Sequence, residues 1–441
     1  MNSIEKVCDK VFRLSRGTQC EIMALHRDTA LTRFANNAVS QNVAASRRDY
    51  TLRFLDDGRS ASVSLNQDSD EAVKLAVRSG LDTLRRQKKD PDLLPLYRAP
   101  AARPGKKLYF ENTASMTPLY RAEKIKALTR ACARAGQTAC GTFETGAEEL
   151  VLANNLGLFA RHRQTQAMYS VTVQDRDGSG WYERPVFDAA EIPFEETNET
   201  ARGKASASRS PRAAAPGHYT VVLEPAAAAE LVHPVCARGL GGQTYVEGKS
   251  FACGKLGRRL LSPLLTVTDD PRGDAPGMPF DFEGTPKEAL TLVEDGVVKN
   301  LALDRKNAKK AGLPNNGRAL PFGAWMGPLP INIAVKPGRS TTEEIIRDTE
   351  RGLLVTQFHY TNVLNPLDLT MTGMTRNGTF LIEDGKLKGA VKNLRFTQSA
   401  VEALARVDAV GRDTKPWADR GILSCPALRI KDLNFSSATE F

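Results

Sequence analysis

Between Cys20 and Leu65, apolar and polar residues alternate with a period of two, which is the period of a β-strand whose two faces differ. Asn36-Asn37 and Asp57-Gly58 interrupt the alternation, and both pairs favour the tight turns of β-hairpins. The sequence therefore predicts an antiparallel meander of short strands. We expect these strands at residues 20–26, 30–34, 38–46, 49–55 and 60–65.

Helical periodicity flanks this region. Apolar residues recur at helical spacing over residues 4–15, 70–88 and 118–135. Asp68 and Glu71 resemble a capping box at the start of the second helix. Two further segments, 141–154 and 157–175, have the composition of strands. We predict an α+β domain over residues 1–195, in which helices cover an antiparallel sheet.

The composition changes after residue 195. Residues 201–216 carry four basic residues and no acid among alanines and serines, so we expect a basic low-complexity linker or loop over 196–216. A strand then ends at Pro225, where a helix begins. Residues 290–301 and 379–394 each place Glu-Asp-Gly between alternating segments, as in a hairpin. We predict a β-rich, barrel-like C-terminal domain over residues 217–441.

Charge and cysteine content limit the function classes. The formal net charge is +10, but basic and acidic residues are interspersed, so nucleic-acid binding is not favoured. The seven cysteines are irregularly spaced without a CxxC motif, which is typical of reduced thiols. We find neither an apolar run of transmembrane length nor a signal peptide, and we expect a cytoplasmic protein.

The segment ELVHPVCARGLGG, residues 230–242, holds a histidine and a cysteine three residues apart. On a helix, His233 and Cys236 share one face, and Cys253 could complete a set of three metal ligands. Pro234 would distort the helix between the two residues, and no carboxylate nearby in sequence could act as a base. The alternative interpretation, that these residues are buried or line a groove, is preferred.

Four segments in order, over nearly the whole chain, resemble the TldD/PmbA family: LTRFANNAVSQN (31–42), VVLEPAAAAELV (221–232), RGLLVTQFHYTN (351–362) and VKNLRFTQS (391–399). Members of this family have been described as zinc-dependent peptidases and, historically, as modulators of DNA gyrase. The resemblance implies one of two branches. The TldD branch carries an HExxxH motif and a later cysteine, which hold zinc and supply a general base. The PmbA branch, also called TldE, lacks them.

The HExxxH position falls on residues 233–238, where Pro234 replaces the glutamate and Arg238 replaces the second histidine. The cysteine position falls near Arg412, and Cys425 lies about thirteen residues later. The resemblance thus implies a PmbA/TldE-like chain with no catalytic residue and no metal of its own. A TldD-like zinc subunit would be its partner in a heterodimer acting on peptides or unfolded segments, with zinc in that partner.

Other interpretations stay open at this point. The chain could pair with itself as a homodimer, it could be a self-sufficient metallopeptidase that uses His233, Cys236 and Cys253, or it could bind nucleic acid or a gyrase. His359, Tyr360 and Asn362 lie in a strand that could bind a peptide by strand addition, contact a partner or simply pack on the core. Trp325, with Met326, is a further candidate contact, or part of a core strand.

Overall fold

The chain folds into two β-sheets with helices packed against them, which confirms the α+β class. The computed structural model describes residues 3–98, 100, 102–417 and 422–439. The N-terminal elements are α1 (Ser3–Leu14), β1 (Gln19–Ala35), β2 (Ala38–Asp56), β3 (Arg59–Leu65), α2 (Asp70–Arg86), α3 (Glu111–Ala114), α4 (Pro118–Arg134), β4 (Thr138–Asn154), β5 (Phe159–Asp175), β6 (Gly178–Val186), a 3₁₀ turn (Ala189–Glu191) and α5 (Phe194–Ala207).

The C-terminal elements surround the larger sheet. They are β7 (Gly217–Leu223), α6 (Pro225–Pro234), a π-helical turn (Val235–Gly239), α7 (Gly242–Val246), β8 (Val267–Asp269), β9 (Leu290–Glu294), β10 (Val297–Val298), α8 (Arg305–Ala311), β11 (Asn332–Val335), α9 (Thr342–Arg347), β12 (Arg351–Asn365), β13 (Thr370–Glu383), β14 (Lys386–Ala390), β15 (Leu394–Ser399), α10 (Ala400–Ala405), β16 (Val407–Trp417) and β17 (Ile422–Ala438).

The first sheet is antiparallel with the strand order β3-β2-β1-β4-β5-β6 in the described residues. The predicted meander is confirmed, and both residues of the Asp57-Gly58 turn have positive φ, as a type I′ hairpin requires. The prediction of short strands is wrong for residues 20–34 and 38–55, which form two long strands paired from Gln19–Leu55 to Ala35–Ala38. The polar residues between the expected segments are extended and exposed, so their polarity does not mark a break.

The helices of the first domain bury their apolar stripes on this sheet. α1 and α2 share a core with β1 and β2, and α4 and α5 share another with β4 and β5. The expected capping box at Asp68 is wrong, because the Ser69 side chain accepts the N–H of Ala72 and caps α2.

The expectation of a linker over 196–216 is wrong for its first part, which lies in α5. Ala201 and Ala205 are fully buried there, and a Cβ on Gly180 of β6 would lie 2.2 Å from the Ala201 carbonyl oxygen. Small residues therefore bring the helix onto the strand rather than leaving the chain loose. The side chains of Arg202 and Lys204 contact Gln137 and Glu224. The expected domain limits themselves stay a prediction.

The second sheet joins the remaining strands. Its pairings β7–β12, β12–β13, β13–β15, β15–β17 and β17–β7 form a closed circuit, and β11, β8, β9 and β10 extend from β17 as an open arm. The sheet is therefore barrel-like in part and not a clean barrel. Both predicted Glu-Asp-Gly hairpins form, with positive φ at Asp295-Gly296 and Asp384-Gly385.

Membrane insertion through a helix has no support in the fold. Within the residues that the structure describes, each helix is too short or too polar to cross a bilayer.

Candidate functional site

A cavity of about 600 Å³ opens where the C-terminal end of α6 meets β12 and the loop before β11. His233 and Arg238 line it from the helical side, Asn362 from β12, and Trp325 from the loop. Trp417, at the end of β16, closes another wall. Candidate residues from three distant parts of the sequence therefore meet in one space.

Pro234 determines the backbone at this site. A proline inside a helix lacks the N–H that the helix would use and its ring crowds the preceding turn. Here α6 ends at Pro234 and continues as the π-helical turn Val235–Gly239. π-helical turns are rare in proteins, and many of those that occur lie at functional sites. Cys236 is buried on this turn, whereas Arg238 is exposed and faces the cavity.

His233 is partly buried and its ring lies against the indole of Trp417, with ring centroids 5.6 Å apart. The contact fixes the imidazole at the wall of the cavity. Glu230, one turn earlier on α6, accepts a hydrogen bond from the Thr361 hydroxyl of β12. The helix and the strand are thus tied together across the floor of the cavity.

The expected alternative metal set is not assembled as a zinc site. The Cys236 thiol is buried, and burial raises its pKa to about 12, which disfavours the thiolate that zinc needs. Cys253 instead donates its thiol to the Tyr245 carbonyl at 3.4 Å. Among the described residues, no group of three or more His, Cys, Asp or Glu side chains is placed to hold a metal ion.

Of the positions that the resemblance assigns to zinc ligands and to the general base, His233 alone keeps a suitable side chain. Pro234 has no side-chain group that can act as a base, and the Arg238 guanidinium stays protonated and cannot coordinate a cation. Arg412 lies on β16, where its side chain is exposed and pairs with Asp413. Cys425 is buried in the same core as Cys236, and burial raises the pKa of its thiol. The residues present therefore do not fit the metal.

β12 presents its polar residues through a bulge. The register with β13 shifts between His359 and Asn362, and Tyr360 has a φ of 52°, which is strained for a residue other than glycine. The bulge turns Thr361 and Asn362 toward the cavity. Of the expected groove residues in this strand, Asn362 lines the cavity. His359 and Tyr360 lie outside its described lining and contact each other with tilted rings, whose centroids are 4.2 Å apart.

Trp325 belongs to a loop, so the alternative of a core strand is wrong for this residue. Its side chain is 75% exposed, and Met326 beside it also lines the cavity. The loop is held at both ends: the Arg53 guanidinium stacks on Phe322 at 4.0 Å, and the Leu329 N–H donates to the Arg318 carbonyl at 3.2 Å. An exposed tryptophan is thus carried on an anchored segment.

Sequence reasoning missed Trp417 and Glu230 as parts of the site. Trp417 is far from residue 233 in the chain, and no local motif surrounds it. Glu230 lies one turn before His233, so the expectation that no carboxylate lies nearby in sequence is wrong, and helical spacing alone could have placed Glu230 on the same face.

Models of two domains of one protein family match this chain. Residues 216–437 match the PmbA/TldA metallopeptidase C-terminal domain, and residues 20–83 match domain 1 of the same family. The chain belongs to the PmbA/TldA metallopeptidase family. The resemblance found in the sequence is therefore confirmed.

Curated relatives include a metalloprotease TldD homolog of Buchnera aphidicola, 24% identical over 69% of this chain and 66% of that protein. A metalloprotease of Methanothermobacter thermautotrophicus is 29% identical over 45% of this chain and 43% of its own length. Metalloprotease PmbA of Escherichia coli O157:H7 is 24% identical over 43% and 40%. The alignments thus span less than two thirds of these relatives.

Solved structures match over the whole chain. TldE from Thermococcus kodakarensis superimposes with a TM-score of 0.90 at 19% identity, covering 99% of this chain and 100% of that one. A candidate modulator of a DNA gyrase from Thermotoga maritima gives 0.86 at 18% identity, covering 98% and 99%. At these identities, the likeness establishes the fold.

Proposed function

We propose that this chain is the metal-free subunit of a TldD/TldE-type zinc peptidase, and that a TldD-like partner subunit supplies the zinc and the general base. The observation that carries the proposal is that Pro234 and Arg238 line the cavity at the positions where the resemblance implies a base and a ligand. Neither residue can fill that role in metal-assisted hydrolysis. The similarity to a protein named TldE supports the same branch.

An exposed edge of strand β2 supports the proposal of a partner subunit. β3 pairs with β2 only from Tyr50 to Asp56. The same edge of β2 from Ala38 to Asp49 therefore pairs with no described strand. All residues of Ala38–Arg48 are exposed, and Ala38–Ser46 carries no charge and no proline. Natural proteins usually protect such edges with charges, prolines or bulges, and this segment has a bulge at Ser40 but no charge or proline up to Ser46. We therefore place the contact with a partner subunit along this edge, which would bind by strand addition.

The first experiment separates this chain from its partner. The chain, a TldD-like subunit from the same genome, and their mixture are each assayed for zinc content and for hydrolysis of an unfolded fluorescent protein substrate. We expect turnover from the mixture and none from the chain alone. Zinc-dependent hydrolysis by the isolated chain that His233→Ala abolishes and His359→Ala preserves would contradict the proposal.

A second experiment tests the edge. Asn42→Pro removes a backbone N–H from the middle of the exposed segment, and Ser64→Pro on the neighbouring β3 serves as its control. We expect only the first variant to weaken assembly in sedimentation velocity of the mixture. Assembly that is unchanged in Asn42→Pro would remove this edge from the proposal, and assembly of the chain with itself through the edge would favour the homodimer.

A further inference from the structure

The cavity combines an apolar wall with a small number of charged groups. Trp325, Met326, Leu329, Met371 and Trp417 contribute large apolar surfaces, and the volume of about 600 Å³ is that of a small-molecule site. An aromatic or a long aliphatic side chain fits such a space. The cavity wall therefore favours a ligand with a bulky apolar group.

The charged groups of the cavity differ in whether they have partners. Glu230 accepts the Thr361 hydroxyl, and Glu247 accepts hydrogen bonds from Lys249 at 2.8 Å and from Gln243. Arg238, in contrast, has no side-chain hydrogen bond or ion pair with another described residue. Both carboxylates are thus engaged and one guanidinium remains open to the cavity.

A guanidinium beside apolar surface suits a carboxylate attached to an apolar body. Arginine binds a carboxylate through two parallel N–H donors, which a neutral amide cannot match. An internal peptide residue carries no carboxylate on its backbone, and an aspartate or glutamate side chain leaves the apolar wall unfilled. The C-terminal residue of a peptide provides both features at once.

We propose that this cavity binds the C-terminal residue of a peptide, with its apolar side chain against Trp325 and Trp417 and its carboxylate on Arg238. The identity of the ligand as a peptide rests on the proposed function. The chain would then capture peptide ends, either substrate or product, at the position where a TldD-like subunit has its metal ligand.

The tryptophans give a direct measurement on the isolated full chain. Two of the three tryptophans line the cavity, and Trp181→Phe removes the third from the fluorescence signal. The probes are N-acetyl-L-phenylalanine and its amide, which differ in the charge of the terminal group. We expect a saturable change with the acid and at least roughly tenfold weaker binding of the amide, as for hydrogen bonds to charged groups.

Variants assign the effect to the site. Arg238→Gln should abolish the preference for the acid and leave amide binding unchanged, and because Arg238 is exposed the core is not disturbed. Arg412→Gln, an exposed arginine on β16, is the matched control and should retain the preference. Equal affinity for acid and amide in the parent chain, or a preference that survives in Arg238→Gln, would overturn the inference.

The outcome is independent of the peptidase assay. Binding of the acid by a chain whose mixture with the TldD-like subunit lacks hydrolysis would contradict the proposed function and leave the site standing. Hydrolysis by the mixture without acid-selective binding would remove the site alone.

Discussion

Arg318 offers the sharpest test of how the cavity loop is held. Its guanidinium donates to the Asp269 carboxylate at 2.7 Å, to the Asp269 carbonyl at 2.8 Å and to the Glu288 carbonyl at 2.7 Å, and it also contacts the Asn316 carbonyl. The Arg318 and Asp269 side chains are 1% and 0% exposed. The Arg318 backbone carbonyl in turn holds Leu329 beside the cavity. The perturbation is Arg318→Met, which keeps much of the side-chain length and removes every donor.

The magnitude follows from what remains after the substitution. The Asp269 carboxylate keeps one donor, the Asn332 N–H at 2.7 Å, and the nearby charge of the buried Lys287, but it loses the cation that is paired with it directly. Breaking a buried ion pair by removing one partner costs about 3–5 kcal/mol. The backbone carbonyls that lose the guanidinium as a donor act in the same direction. We expect a loss of about 4 kcal/mol in the free energy of unfolding.

A matched exposed pair controls for the chemistry of the substitution. Arg406 and Asp432 are also 2.7 Å apart, but their side chains are 39% and 53% exposed. Arg406→Met should cost about 0–1 kcal/mol. Both variants are compared with the parent by urea unfolding at pH 7, followed by tryptophan fluorescence and by circular dichroism. If Arg318→Met lies within about 1 kcal/mol of Arg406→Met, the reasoning from burial is refuted.

Three further variants test other parts of the structure. Burial raises the pKa of Glu283 to about 7. Its ionisation therefore destabilises the fold as pH rises from about 4.5 to about 7, and Glu283→Gln should gain about 3 kcal/mol at pH 8 but little at pH 4 in urea unfolding. Gly80→Ala places a Cβ 2.2 Å from a buried phenylalanine ring and should lower stability by about 1–3 kcal/mol, whereas Gly203→Ala, with open space in α5, should raise the melting temperature. Thiol labelling of the native chain at pH 8 measures the number of reactive cysteines. This number should fall by one in Cys253→Ser and stay unchanged in Cys236→Ser, because the Cys236 thiol is buried with a pKa of about 12.

Short sequence patterns predicted those turns, strands and helix starts that depend on neighbouring residues in the chain. Period-two alternation and the Asp57-Gly58 turn gave the first hairpins, and Pro225 at the first helical position gave the start of α6. The errors arose where we inferred a break in a strand or a loop from residue composition alone. The residues around Arg47 are polar because they are exposed on a long strand, and Ala201 lies in an alanine-rich stretch because it packs closely against β6.

The sequence predicted individual residues of the site but not that they meet in one cavity. The segment around His233 identified one wall, and Asn362 and Trp325 were singled out separately for their residue types. Their meeting depends on the bulge in β12 and on the loop anchored by Arg318, which are consequences of tertiary pairing. Trp417 comes from β16, whose placement follows from its pairing with β17. No local pattern encodes these contacts.

On the proposed function, the geometry at Pro234 allows a helix position that the resemblance assigns to a metal ligand to line a binding cavity instead. An α-helix places residues four apart on one face, whereas a π-helical turn accommodates an extra residue, so residues five apart can both face the cavity. His233 and Arg238 are five apart and both line it. The π-helical turn therefore lets both side chains face the cavity. Under the two proposals above, arginine at a ligand position gives the cavity wall a positive charge, which attracts an anion where a ligand would attract a cation.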